Sequence, residues 1–368
     1  MNIVQQLSQA GQSIWYDNIQ RGMLHSGELA GMITRGEIRG VTSNPTIFMN
    51  AVTKSADYDA ALADLARAGL GATDSFWQLA VEDIQATADL FAPLYQDTDG
   101  GDGFVSLEVN PDLADDGEAT LAEAKRLWQR VNRPNLMIKI PATRAGLPAI
   151  TAAIAAGINV NVTLIFSRQR YAEVMDAYIS GLEQRADQGM PLNRVASVAS
   201  FFVSRVDSKA DSLLARIAAE GGRRGTSATR LQGKAAIANA KVAYADFKRV
   251  FNRKRFQRLA ALGARVQRPL WASTGTKNPH YSDVLYVDEL IGPYTVNTVP
   301  PQTLTAFLDH GKVRPTLEAD VDQARRTLRQ IEALGISMTA VTDQLEREGV
   351  KAFSDAFRDL LAAVASKQ

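Results

Sequence analysis

One lysine in this chain is hard to read as an ordinary surface charge. In Leu136-Met137-Ile138-Lys139-Ile140-Pro141 it stands alone inside an apolar, β-prone run, while the other lysines lie mostly on helical segments among neighbouring charges. Burying an ammonium there is costly unless it pairs with a carboxylate or sheds its proton. A neutral amine is the species that attacks a carbonyl to form a Schiff base. The alternative is a strand-end lysine that reaches out to water or closes an ion pair.

Two further apolar runs each carry one carboxylate. In Val105-Ser106-Leu107-Glu108-Val109-Asn110 the apolar residues alternate with Ser106, Glu108 and Asn110, so Glu108 shares a face with polar neighbours. In Ser13-Ile14-Trp15-Tyr16-Asp17, Asp17 ends an apolar run. Schiff-base aldol chemistry needs a group that takes a hydroxyl proton as a C–C bond breaks, and a route for protons through water. Two carboxylates beside one amine could supply both. Equally, Glu108 could form an ion pair with a lysine, and Asp17 could serve as a turn or helix cap.

The alternation is cleanest in Ile158-Asn159-Val160-Asn161-Val162-Thr163-Leu164, where Asn159, Asn161 and Thr163 share one face. Amides and hydroxyls make poor core filler, because each needs a hydrogen-bond partner, and they suit substrate hydroxyls and ordered water. Asn44, before Pro45, reads either as a ligand or as a helix cap with proline in the first turn. Arg205, at the end of the Ser197–Val203 strand, and Lys277, in the loop Ser273-Thr274-Gly275-Thr276-Lys277, are cations that could meet a phosphate or remain surface charges. Phe202 and Trp271 read as packing residues that could also wall a pocket.

These residues must be positioned by something, and the chain suggests what. Eight β-rich runs, Ser13–Ile19, Gly40–Ser43, Gly103–Val109, Leu136–Ile140, Asn159–Phe166, Val195–Val203, Pro269–Ser273 and Thr295–Thr298, alternate with amphipathic stretches. Helical spacing is clearest over Glu118–Val131, Arg168–Gln188 and Leu231–Leu262. Gly-rich Thr98–Gly103 and Gly221–Gly225 read as exposed loops. Eight strands alternating with helices predict an α/β fold, a (β/α)8 barrel whose lumen takes every second residue of each strand. The segment 301–368 reads as additional C-terminal helices packed on the barrel, the last bordering its mouth, in a single domain spanning 1–368.

Composition narrows the chemistry. The chain has no cysteine and only His25, His280 and His310, which removes thiol nucleophiles and thiolate zinc sites and argues against a His-rich metal centre. With 41 basic and 40 acidic residues interspersed, the net charge of +1 offers no global field for nucleic acid or a membrane surface. No apolar run approaches the roughly 18 residues of a membrane span, and the amino terminus has no leader-like pattern; the expected location is the cytoplasm.

Taken in order, five blocks resemble the transaldolase family: Gly40-Val-Thr-Ser-Asn-Pro-Thr-Ile-Phe48, Val105-Ser-Leu-Glu-Val-Asn-Pro111, Met137-Ile-Lys-Ile-Pro141, Gly157-Ile-Asn-Val-Asn-Val-Thr-Leu-Ile-Phe-Ser167 and Ala199-Ser-Phe-Phe-Val-Ser-Arg-Val-Asp207. Trp271–Pro279 and Ser282–Pro300 look like the longer bacterial form, and the resemblance runs from Asp17 to about Leu308. It implies that Lys139 forms the Schiff base, that Asp17 is the general acid/base, and that Glu108 and Thr163 position the water of the proton relay. It further implies that Asn44 and Asn161, supported by Thr42 and Ser200, hold hydroxyls of a three-carbon fragment. Arg205 matches a phosphate-binding arginine. Many members carry an arginine after the Ala-Ser that aligns with Ala272-Ser273; here the loop supplies Lys277 instead.

The implied reaction moves dihydroxyacetone from sedoheptulose 7-phosphate to glyceraldehyde 3-phosphate, giving erythrose 4-phosphate and fructose 6-phosphate, with no cofactor and no metal. The implied partners are small sugar phosphates, for a monomer or homodimer. The alternatives are a fructose 6-phosphate aldolase-like cleavage without transfer, and a non-catalytic sugar-phosphate-binding barrel. Aldolase-type relatives resemble the family with an amide in place of the strand-three carboxylate and a tyrosine near the sixth-strand site, so Glu108 and Phe202 favour transfer.

Overall fold

The computed structural model describes residues 2–368. Eight strands pair in parallel and in chain order: β1 (Gln12–Tyr16), β2 (Gly40–Val41), β3 (Phe104–Glu108), β4 (Leu136–Pro141), β5 (Val160–Ile165), β6 (Ser197–Phe202), β7 (Arg268–Ala272) and β8 (Thr295–Val299). Strand β8 returns to pair with β1, so the sheet closes into the (β/α)8 barrel that the alternation predicted. All but one of the strand residues are buried, as a barrel filled on its inside and covered on its outside requires. Register places Glu108 opposite Lys139, Lys139 opposite Asn161 and Pro141 opposite Thr163.

Several boundaries differ from the sequence reading. Strand β1 stops at Tyr16, which leaves Asp17 as the first residue beyond it, although its N–H still donates to Val299 O at 2.9 Å. The segment Gly221–Gly225 is not an exposed loop: a helix begins at Gly222 and runs to Leu231. A Cβ at Gly225 would meet Ala218 O at 2.8 Å, so glycine there permits tight packing on the end of the preceding helix. Thr98–Gly103 is a turn, but Gly100, Asp102 and Gly103 are buried. The stretch Leu231–Leu262 divides into helices Ala235–Phe251 and Lys254–Ala260. Phe251 and Phe256 meet edge to face across the break at 4.7 Å, which keeps both rings in the core.

The amino-terminal end of the barrel is closed by charge. Buried Asp102 accepts from Ser13 Oγ at 2.6 Å, Trp15 Nε1 at 3.0 Å and Arg39 Nε at 2.7 Å, with Arg268 Nη1 at 3.4 Å. At the opposite end the last helix, Met338–Ser366, lies over the mouth, with Gly349 against Leu164 of β5 and Phe353 over Lys139. Along it, Glu346 pairs with Arg170, Glu348 with Lys209, and Phe357 packs on Phe76 and Trp77. No described helix is long and apolar enough to cross a membrane.

Candidate active site

Lys139, Glu108, Asn161, Thr163 and Ser200, with Asp17 and Thr42 just beyond β1 and β2, converge in the barrel toward its carboxyl end, whereas Asn159 is tied to the Pro134 and Leu136 carbonyls at the start of β4. Lys139 Nζ donates to the Ser43 carbonyl at 2.9 Å and lies 3.4 Å from Glu108 Oε2, with both side chains about 95% buried (6% and 5% exposed). Adjacent strands in register put the amine and the carboxylate side by side. Burial pushes the Glu108 carboxyl up to about 7; the Lys139 charge opposes that rise and Asp17 adds to it. Glu108 Oε2 and Thr163 Oγ1 are buried and have no hydrogen-bond partner in the protein.

Asn161 ties three strands together: its Nδ2 donates to Ser106 Oγ at 3.0 Å, and its Oδ1 accepts from Ser200 Oγ at 2.7 Å. Across the lumen, Thr42 Oγ1 donates to Asp17 Oδ1 at 2.6 Å and lies 2.5 Å from Thr298 Oγ1. Burial pushes the Asp17 carboxyl up, and Lys139, the Thr42 hydroxyl and Lys277 pull it back in that order. Asn44 caps helix Pro45–Lys54, accepting from Ile47 N at 3.0 Å through Oδ1. The cap spends only the carbonyl, so the amide N–H groups remain available.

The backbone is strained where these strands end. Leu164 has φ +60° at a register shift between Val162 and Ile165, and Ser273 has φ +55° just after β7. A bulge of this kind breaks the simple alternation and re-aims the residues after it.

The cations lie along the rim. Arg205 is not at a strand end but in the first turn of helix Ser204–Ala219, its guanidinium 5.4 Å from the Phe202 ring centroid. Burial draws it below its ordinary value, and no carboxylate offsets that effect. Ser204 N donates to Ser273 O at 3.0 Å, and the two hydroxyls lie 3.0 Å apart, which joins the Arg205 helix to the loop bearing exposed Lys277. Farther along that loop Tyr281 donates to Asp211 at 2.7 Å and Tyr286 to Asp207 at 2.8 Å. Asp207 and Asp211 are one turn apart on the same helix, so two tyrosines clamp the loop to it. The sequence reading missed this clamp; the signal was the i, i+4 acidic pair after Arg205.

It also missed Phe353 of the last helix, whose ring centroid is 5.9 Å from Lys139 Nζ. Trp271 is wholly buried, as its packing assignment predicted.

A family model described as Transaldolase/Fructose-6-phosphate aldolase matches residues 14–364 of the chain. The protein belongs to the transaldolase/fructose-6-phosphate aldolase family. A transaldolase of Thermobifida fusca is 51% identical over 365 residues, covering 99% of this chain and 98% of that one. The Transaldolase 1 of Streptomyces avermitilis is 50% identical over 364 residues (99% and 95%), and the Mycobacterium tuberculosis transaldolase 48% over 357 residues (96% and 94%). Within a family whose description spans transfer and aldol cleavage, Glu108 and Phe202 are the residues to examine. Phe202 is buried, with its ring 5.0 Å from that of Phe166.

Proposed function

We infer that the protein is a transaldolase working through a Schiff base on Lys139, passing dihydroxyacetone from sedoheptulose 7-phosphate to glyceraldehyde 3-phosphate. The observation that carries this reading is a buried amine, 3.4 Å from a carboxylate whose titration burial has moved to about neutral pH. In the proposed cycle Lys139 Nζ adds to the ketose carbonyl at C2, and the oxygen leaves as water once protonated. Glu108 Oε2 and Thr163 Oγ1, neither of which has a hydrogen bond within the protein, suit the water that relays those protons. Asp17 takes the proton of the C4 hydroxyl as C3–C4 breaks. The electron pair of that bond passes into an enamine, and erythrose 4-phosphate departs. The enamine carbon then attacks the acceptor aldehyde, Asp17 returns the proton, and water releases fructose 6-phosphate from Lys139.

Asn161, Asn44, Thr42 and Ser200 suit the fragment's hydroxyls. Arg205, a half-buried cation with no carboxylate of its own, suits a phosphate, and Lys277 with Ser273 completes that end. We also read the chain as one domain, since a single hydrophobic cluster runs from Val4 to Val364, and as a cytoplasmic protein.

Borohydride reduction in the presence of fructose 6-phosphate, followed by peptide mass mapping, tests the mechanism. The expected product is a three-carbon adduct on Lys139, absent in Lys139→Ala, whose transfer rate falls by orders of magnitude. Wild-type turnover in that variant would end the mechanism. An assay with and without acceptor aldehyde separates transfer from release; rapid dihydroxyacetone release without acceptor would favour the aldolase reading.

A further inference from the structure

The last helix brings one side chain to the reacting nitrogen and holds it there from both sides. Before Phe353, Glu346 Oε2 pairs with Arg170 Nε at 3.3 Å and Glu348 Oε1 with Lys209 Nζ at 2.9 Å. Between these pairs and Phe353 the helix lies directly on the end of β5: a Cβ at Gly349 would stand 3.0 Å from Leu164 Cδ2. After Phe353, Phe357 meets Phe76 edge-on at 5.6 Å, and Lys367 Nζ donates to Ser55 O at 3.0 Å. Phe353, 6% exposed, is thus fixed over Lys139, with its ring centroid 5.9 Å from Nζ. Other neighbours of that nitrogen are the Ser43 carbonyl and Glu108.

We propose that Phe353 takes part in the Schiff-base cycle, its ring face stabilising the cationic iminium nitrogen on Lys139 while the helix that carries it screens the enamine from water. The proposal rests on the Schiff-base reading above. When Nζ adds to the carbonyl and the oxygen leaves as water, the nitrogen becomes a cation. When C3–C4 breaks, its electron pair neutralises that charge in the enamine, and addition to the acceptor restores it. An aromatic face is attracted to a cation within about 6 Å of its centroid and gains nothing from a neutral nitrogen. Desolvation under the helix strengthens that attraction.

The test compares Phe353→Leu, which keeps apolar volume, with Phe353→Tyr, which keeps the aromatic face. The readouts are borohydride-trapped adduct at subsaturating fructose 6-phosphate, and dihydroxyacetone released without acceptor. Trapping in the Leu variant should fall on the order of threefold to tenfold at unchanged circular dichroism, while release without acceptor does not rise, because the helix still screens the enamine; the Tyr variant should restore trapping. Stepwise fluorination of phenylalanine at position 353 weakens the ring face with little change of shape, and should lower trapping step by step even if the Leu variant folds poorly. Trapping unaffected by fluorination, or a Tyr variant as impaired as Leu, would overturn the proposal. Wild type that forms no Lys139 adduct would instead overturn the Schiff-base reading itself.

Discussion

Replacing Glu108 by glutamine changes one charge and almost no volume, so its consequences can be worked from the structure. Burial lifts the carboxyl from its ordinary 4.5 to about 7. That difference, at roughly 1.4 kcal/mol per pH unit, means that ionised Glu108 costs the folded protein on the order of 3–4 kcal/mol relative to its neutral form. Because the folded value is the higher one, the folded state holds the proton more tightly. Stability from this group is therefore fully present below about pH 4.5 and lost as pH rises to about 7. Chemical denaturation of wild type and Glu108→Gln between pH 5 and 8 should show the variant gaining on wild type as pH rises. Activity should move the other way. Wild-type kcat/KM should show a limb near pH 7; the variant should lose that limb and about 10²–10⁴ in rate, the range for a positioned acid–base group. Denaturation curves that stay parallel with pH, together with a limb that survives in the variant, would refute the reasoning.

Two further predictions address the ends of the barrel. Arg205→Ala should raise KM for fructose 6-phosphate on the order of tenfold to a hundredfold, with a smaller rise for Lys277→Ala, while KM for an unphosphorylated ketose stays level; equal effects on both substrates would remove the phosphate assignment. Asp102→Ala leaves Arg39 without its carboxylate and buried Trp15 Nε1 without an acceptor at the amino-terminal end, and should cost about 2–3 kcal/mol in urea denaturation with kcat little changed, so wild-type stability would disprove a structural role.

The strand chemistry was legible because it rests on local periodicity. Period-two alternation singled out Glu108, Asn161 and Thr163, and an isolated charge in an apolar run singled out Lys139; register alone then made them neighbours. Asn44 was legible only as an ambiguity between ligand and cap, and the structure shows the cap in place with its amide N–H groups unspent. Arg205 was recognised as a cation but assigned to a strand's end, because nothing local marks where β6 gives way to a helix.

The sequence by itself therefore determined the fold class, the Schiff-base candidate and its carboxylate, since each depends on the residue's own type and its immediate alternation. Tertiary structure alone decided three things: that Phe353 lies over Lys139, that Leu164 breaks its strand's alternation in a left-handed conformation, and that Tyr281 and Tyr286 tie the Lys277 loop to the Arg205 helix. Each depends on where the barrel closes and how a helix lies over it. That geometry arises from packing between segments far apart in the chain, and no local pattern encodes it.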